Sequence, residues 1–516
     1  MCDLILFNAN VMTMDPALPR AELVAIRDGT IVQVTQNDRL RSLIEKNTQT
    51  IDCRGRTILP GFIDAHCHVP AYAESLVSLN LSPREHVLSI ADIQNRIRDV
   101  CNDRAQGTWI RGRGYNEFYL AEKRHPNRWD LDAATSAHPI KLTHRSGHAH
   151  VLNSLALKYV RITVETGDPP GGLIDRDPET GEPTGILYGM GDYLAQKIPP
   201  IDDAEIERGL TLANQKLLSY GITSVQDASA HNDLRQWRRF EAWKAQGIFK
   251  PRVTMMMGIE GFEESKRQSY SSCVEEGQLG LGGVKIIVDE VTGSLHPSRE
   301  ELNERVLAIH EAGLQAVIHA VEEPVIEAAC NAIENALQAQ PRQDHRHRIE
   351  HGSVCPPPLL QRLRALGIVV VTQPTFVYYS GDRYLKTVPD RQRQYLYPIG
   401  SMLKNGILVG SSSDFPIADP NPLVGIYAAA TRRTEGGKSL LPREKTGRDE
   451  ALQMCTRLAA VTNFEEGIKG SVSPGRVADL VMVSEDPLVV DADTIKDIQV
   501  EMTILGGEIV WSRTSQ

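Results

Sequence analysis

The sequence predicts an α/β protein: a (β/α)8 TIM barrel, a small β-sandwich domain built from both chain termini, and a long insertion after barrel strand 1. Three observations lead there. Short apolar, strand-like runs alternate with amphipathic helical stretches through the middle of the chain. Hairpin patterns occupy both ends, and neither end has enough strands to stand alone. Residues able to bind metal or carry protons recur where the middle strands end, which is where a barrel gathers its site.

At the N-terminus, Asp3 to Met14 is rich in apolar residues, and Leu23 to Val34 reads as a hairpin turning at Asp28-Gly29. The pattern returns at the far end, with a strand at Ala478–Val483 and a hairpin at Val500–Trp511 turning at Gly506-Gly507. Residues 1–58 and 471–516 are therefore assigned to one β-sandwich, and 59–470 to the barrel. The barrel strands are placed at Thr57–Ala65, Ile222–Asp227, Arg252–Gly258, Val284–Asp289, Gln315–His319, His347–His351, Ile368–Gln373 and Ile407–Asp414. Amphipathic stretches such as Pro297–Ala312 and Glu323–Ala339 lie between them. The stretch from His68 to Ile222 is too long for a single crossover. It predicts an insertion over about 70–200, with strands of its own near Trp109–Arg113 and Pro139–His144.

Composition narrows the function classes. The chain has 516 residues, 41% hydrophobic and 24% charged, with a formal net charge of -10 and no basic stripe. Neither nucleic acid nor an anionic membrane is expected as a partner; a small molecule is. No apolar run approaches the ~20 residues that cross a bilayer. The first residues lack a basic segment followed by a signal-type apolar core, so the cytoplasm is the expected location. The eight cysteines are scattered without a Cys-X-X-Cys, a pattern of free thiols in a reducing compartment.

The chemistry centres on Thr57-Ile-Leu-Pro-Gly-Phe-Ile-Asp-Ala-His-Cys-His68. On a strand, His66 and His68 project from one face and together offer two imidazoles to a divalent metal. Cys67 points the other way, as a small packed residue. Further strands end in His319, in His351 and in Asp414, and Val284-Lys285-Ile286-Ile287 buries a lysine among apolar residues. One strand-end histidine is commonly structural; several converging on one rim make a site.

The order His-X-His, buried lysine, His, His, Asp resembles the amidohydrolase superfamily of metal-dependent hydrolases, over nearly the whole chain. Lys469-Gly-Ser-Val-Ser-Pro-Gly-Arg-Val-Ala-Asp-Leu480 is similar to the segment by which such chains re-enter the sandwich. Trp109-Ile-Arg-Gly-Arg-Gly-Tyr-Asn116, Gly147-His-Ala-His-Val-Leu-Asn-Ser154 and Ser413-Asp-Phe-Pro-Ile-Ala-Asp-Pro-Asn-Pro422 resemble the branch that contains N-substituted formamide deformylase.

The resemblance implies two divalent ions, Zn²⁺ with Mn²⁺ or Fe²⁺ as alternatives. His66 and His68 would hold the first, His319 and His351 the second. Lys285 would bridge them after taking up CO₂ as a carbamate; the alternative is an ammonium paired with Asp289 or Glu290 beside one metal. Asp414 would serve as metal ligand and proton shuttle, taking a proton from metal-activated hydroxide as it attacks a carbonyl and passing it to the leaving nitrogen. His148, with Tyr115 and Asn116, would line the substrate pocket. His148 belongs to Lys141-Leu-Thr-His144-Arg-Ser-Gly-His148-Ala-His150, a second His-X-His that is weighed as substrate contact, structural hydrogen bond or metal ligand.

Two departures from the branch add carboxylates. Asp289-Glu290 stands where Asp-Gly is usual, and His319-Ala-Val-Glu-Glu323 where His-Ala-Ile-Gly-Asp is usual. Glu290 and Glu322 either face solvent or recognise a cationic or N–H-rich substrate. The implied activity is hydrolysis of a non-peptide C–N bond, in an N-substituted amide or formamide. The alternatives are a cyclic amide or urea hydrolase, a heterocycle deaminase, and a catalytically silent scaffold protein. Homo-oligomers are common in the superfamily.

Overall fold

The computed structural model describes residues 2–268, 278–291 and 294–513, without the side chains of 267, 268, 289–291 and 294. Eight parallel strands run in sequence order around one sheet: β1 (Phe62–Cys67), β2 (Ile222–Asp227), β3 (Arg252–Gly258), β4 (Leu279–Ile287), β5 (Ala316–Ala320), β6 (Arg348–His351), β7 (Val369–Thr372) and β8 (Val409–Ser411). Beyond the end of β8 the seam to β1 is drawn together by backbone bonds: Asp414 N–H donates to the His66 carbonyl at 3.0 Å, and His68 N–H to that of Phe415 at 3.0 Å. The barrel expected from the alternating pattern is present.

Its logic is visible strand by strand. On β5, Ala316, Ile318 and Ala320 pack outward against helices α1 (Arg299–Glu311) and α2 (Glu323–Ala339). Val317 packs on the other face with Ala228, just past the end of β2, and with Met256 of β3. Helix α1 starts where a capping box fixes it: Glu301 N–H donates to Ser298 Oγ at 3.2 Å, and Ser298 N–H returns to Glu301 Oε2 at 3.0 Å.

Three strand assignments differ from the sequence reading. Thr57–Ala65 is two strands in two sheets: Thr57–Pro60 pairs with Leu480–Val483 in the sandwich, and Phe62 begins the barrel. Gly61 makes the break, because a Cβ there would lie 2.2 Å from Thr223 Oγ1. β4 starts at Leu279 and stops at Ile287; Asp289–Val291 instead pairs with Ser294–His296 in a separate hairpin. β8 covers only Val409–Ser411, so Asp414 stands beyond it.

The termini form two sheets. One orders Thr30–Thr35, Leu23–Arg27, Leu4–Phe7 and Gln49–Asp52; the other orders Glu508–Ser512, Val500–Leu505, Leu480–Val483, Thr57–Pro60, Asn10–Met12 and Arg20–Ala21. Leu6, Val24 and Ile31 of the first pack with Val11, Ile58, Leu480 and Ile504 of the second. Both hairpins turn where expected, with left-handed backbone at Asp28 and Gly29 (φ 47° and 71°) and at Gly506 and Gly507 (φ 56° and 79°). The sandwich is tied to the barrel by Arg252, whose Nε donates to Asp479 Oδ2 at 2.6 Å in a buried pair.

Sandwich and barrel (1–69 and 214–516) form one compact unit, and 70–213 forms another. The second is a six-stranded mixed sheet ordered Leu173–Arg176, Pro183–Tyr188, Ala149–Leu152, Ile140–His144, Ile110–Tyr115 and Leu79–Asn80. Helix Ile90–Asn102 covers one face through Ile93 and Ile97, which pack on Ile110, Leu142 and Val151. Among the described residues the cysteines are free and all but Cys101 are buried; Cys273 lies outside them. No helix of the described residues is long and apolar enough to cross a membrane.

Behind β5 and β6 lies a chain of histidines. The Gln340 carbonyl accepts from His310 Nε2–H at 2.7 Å, and Ala316 N–H donates to His347 Nδ1 at 3.0 Å. The remaining nitrogens meet at 2.8 Å, His347 Nε2–H donating to His310 Nδ1. Every ring nitrogen is satisfied with both rings neutral, and burial pulls the His347 pKa down to about 2. Below about pH 6.5 the unfolded chain binds a proton that native His347 refuses, so stability falls as pH drops through that window. At pH 4.5 this one group is expected to cost roughly 2–3 kcal/mol. Urea melts at pH 7.0 and 4.5 check it: His347→Gln should lose that share of the pH dependence, and identical dependence in both proteins would refute it.

Candidate active site

The inward positions of β1, β4, β5 and β6, with the residues after β8, deliver the site. His66 and His68 point the same way, their Nε2 atoms 3.5 and 3.2 Å from Asp414 Oδ1. His351 Nε2 lies 3.0 Å from His319 Nδ1, and the His66 and His351 rings are 5.1 Å apart. One ligand atom each from His66, His351 and Asp414 falls within a 4.8 Å group, and all three residues are buried. Lys285 is 2% exposed, and its Nζ has no hydrogen-bond partner among the described residues.

Two of these residues reach the site through unusual backbone. Alternation along β6 would turn His351 outward with His347 and Ile349. A left-handed φ of 72° at His351 turns it inward instead. Asp414 has φ 58° for the same purpose beyond the end of β8. Non-glycine residues held there cost energy and recur where side-chain placement matters more than backbone comfort.

Burial sets the protonation states. It draws His66 down to about 3 and lowers His351, keeping both imidazoles neutral and able to bind metal. It also draws Lys285 down to about 8, so an uncharged amine is accessible near neutral pH. Burial alone would raise Asp414, but the hydrogen bond from His68 holds it below the usual carboxylate range.

A layer beneath these residues went unread in the sequence. Glu350 is fully buried between Arg348 and His66, accepting from Arg348 Nη2–H at 3.0 Å and from His66 Nδ1–H. Arg348 Nη1–H donates to Gln226 Oε1 at 2.6 Å, and Gln226 is tied to the Ala459 carbonyl at 3.2 Å. His351 Nδ1–H donates to Gln373 Oε1 at 2.8 Å, and His68 Nδ1 meets Ser229 Oγ at 3.1 Å. Asp64 accepts from the Ser413 hydroxyl at 2.5 Å, holding the segment before Asp414. The signal was present in Arg348-Ile-Glu-His351, where two charged residues flank one apolar residue on a buried strand. Glu350 fixes His66 with its proton on Nδ1 and its Nε2 lone pair toward the site. Glu350→Gln is therefore expected to weaken divalent-metal binding roughly ten- to hundredfold. Competition with a chromogenic chelator measures it, and unchanged affinity would remove Glu350 from this role.

Cys67 points away from the two histidines, its Sγ donating to the Gln226 carbonyl at 3.3 Å. Glu322 is exposed just before α2. Glu290 lies in the Asp289–Val291 strand, and its side chain is outside those described. Tyr115, Asn116 and His148 belong to the 70–213 unit. There Tyr115 is buried with its hydroxyl 2.9 Å from His125 Nδ1, Asn116 accepts from Phe118 N–H at 3.2 Å, and His148 is exposed.

The amidohydrolase family pattern matches residues 49–511. The chain belongs to the amidohydrolase family. It is 29% identical to the N-substituted formamide deformylase of Arthrobacter pascens, over 100% of this chain and 99% of that protein. It is 28% identical to the protein LONG AFTER FAR-RED 3 of Arabidopsis thaliana, over 93% and 87%. An uncharacterized metal-dependent hydrolase from Pyrococcus horikoshii has the same fold, with a TM-score of 0.76 and 20% identity over 95% of this chain and 99% of that one. This amidohydrolase is a metal-dependent hydrolase acting on C–N bonds. Members of the family use divalent metals, and the buried His66–His351–Asp414 group fits one: its donors are neutral imidazoles and a carboxylate.

Proposed function

We propose that this chain hydrolyses the C–N bond of an N-substituted amide or formamide, with two zinc ions held by His66, His68, Lys285, His319, His351 and Asp414. The observation that carries the two-metal reading is Lys285. Among the described residues this buried amine has no hydrogen-bond partner, and its charge acts on His66 and His351, so no described contact accounts for it as a free amine. A carbamate would give it a role: the neutral Nζ lone pair would add to the carbon of CO₂, one proton would leave, and the resulting anion would supply oxygen ligands for divalent metal. The full-length likeness to a formamide deformylase supports the substrate class. Mn²⁺ or Fe²⁺ suits the same donors.

Bound there, the ions supply a water of lowered pKa and polarise the substrate carbonyl. The rest falls to the chain. Gln373, Ser229 and Glu350 each engage the Nδ1 of one histidine, and so set the direction in which its Nε2 points. Asp414 Oδ1, 3.2 Å from His68 Nε2, accepts the proton of the attacking water and returns it to the leaving nitrogen. Glu322 and Glu290 stand near the ends of β5 and β4, as candidates for contact with an N–H-rich substrate. His148, Tyr115 and Asn116 remain proposed substrate contacts.

The test is a panel of N-substituted formamides, amides, lactams, ureas and amino-heterocycles assayed with zinc-loaded protein for released amine or ammonia. Turnover of formamides or open-chain amides with free amine as product supports the reading. Release of ammonia from heterocycles alone would replace it with deamination.

A further inference from the structure

The Lys141–His150 stretch contributes to a second polar cluster, inside the 70–213 unit. Neighbouring strands there place Arg111 opposite Lys141 and Arg113 opposite Thr143, and Thr143 in turn opposite His150. Because Ile110, Leu142 and Val151 fill the apolar core on the other face, these polar residues share one face of the sheet.

Their partners are few. Arg113 donates one bond, from Nη1 to the Ala71 carbonyl at 2.9 Å. Lys141 makes no hydrogen bond or close ion pair among the described residues. His150 is 4% exposed; its Nδ1 meets Thr143 Oγ1 at 3.3 Å, and its Nε2 has no partner. With the Thr143 hydroxyl donating to Nδ1, the neutral ring carries its proton on Nε2 as an unused donor. Glu74 is the one carboxylate that faces all three cations; Glu205 faces Arg111, and Asp192 faces His150. Burial lowers Lys141, and Arg113 and Arg111 lower it further. Burial also draws His150 down to about 3, with Lys141 and Arg113 adding to the shift. Three cations thus share one carboxylate, Glu74, with Glu205 reaching Arg111 alone.

We propose that this face binds a small oxyanion, a carboxylate or a phosphate-type group, held by Lys141, Arg113 and His150 Nε2–H, with Thr143 fixing the His150 ring. Strands lie ~4.8 Å apart, so donors on three adjacent strands are within reach of one such group. Guanidinium, ammonium and imidazole N–H are the donors an oxyanion takes, and half-buried cations that outnumber their carboxylate gain from a further anion. A metal ion would be repelled by the same charges.

The test is titration calorimetry of the full chain with inorganic phosphate, sulfate and acetate at pH 7. Wild type should show saturable binding, Lys141→Met should bind at least about tenfold more weakly, and Lys141→Arg should stay within about threefold of wild type. Thr143→Val, which removes the hydroxyl that keeps the His150 proton on Nε2, should weaken binding as well, which keeps the test open if Lys141→Met does not fold. Absence of saturable binding in wild type, or equal binding in wild type and Lys141→Met, overturns the proposal. Phosphate bound at the metal centre does not imitate the result, because it would survive Lys141→Met. A second arm separates the two oxyanion classes: saturable binding of acetate but not of phosphate or sulfate assigns the face to a carboxylate, and the reverse assigns it to a phosphate-type group.

Discussion

Asp414→Asn is expected to lower kcat by ~10³-fold, within the 10²–10⁴-fold range typical of general acid–base groups, while KM moves little. The argument is geometric. Asp414 Oδ1 sits 3.2 Å from His68 Nε2 and 3.5 Å from His66 Nε2, so its carboxylate borders the position proposed for the reacting water. Asparagine preserves the shape and the left-handed backbone, which Asn tolerates well, but its amide cannot accept and return a proton. Steady-state kinetics with metal content measured on the same sample separates loss of proton transfer from loss of metal. A variant that keeps both its metal and more than about a tenth of wild-type kcat would show that another group moves the proton.

Lys285→Ala is expected to cost still more, because it removes a ligand proposed to serve both ions. Metal content should fall below two per chain, and activity by ~10³-fold or more. A short carboxylate such as propionate should restore part of it by placing two oxygens in the vacated space. The metal-free protein offers an independent reading. Removing an amine that is buried and unpartnered should not destabilise it, so Lys285→Met should gain about 1–2 kcal/mol in urea unfolding. Retained metal and activity in Lys285→Ala would remove the carbamate from the account.

Much of this centre was legible in the sequence, because most of its ligands obey the alternation rule. His66 and His68 share a face of β1, and a lysine among Val284, Ile286 and Ile287 can only face the barrel interior. His351 and Asp414 are legible from their places at strand ends and from the family resemblance, but not from alternation. His351 has the parity of His347, whose ring is engaged with His310 behind the sheet, and only a φ of 72° brings it to the metal side. Asp414 is likewise set by backbone beyond the end of β8. Glu350 was hidden for another reason: its role exists only through Arg348 and His66, and His66 is 284 residues away in the chain. The break at Gly61 was invisible because it answers to Thr223, on another strand. The unpaired cations of the 70–213 unit emerge only when three strands are placed side by side.

Diffraction at the zinc absorption edge from a crystal grown with zinc and bicarbonate tests the central claim most directly. Two anomalous peaks are predicted, one within about 2.5 Å of His66 and His68 nitrogens and one equally close to those of His319 and His351. Density should continue past Lys285 Nζ to lie between them. A Lys285 side chain that ends at Nζ, or peaks lying elsewhere in the molecule, would contradict the account.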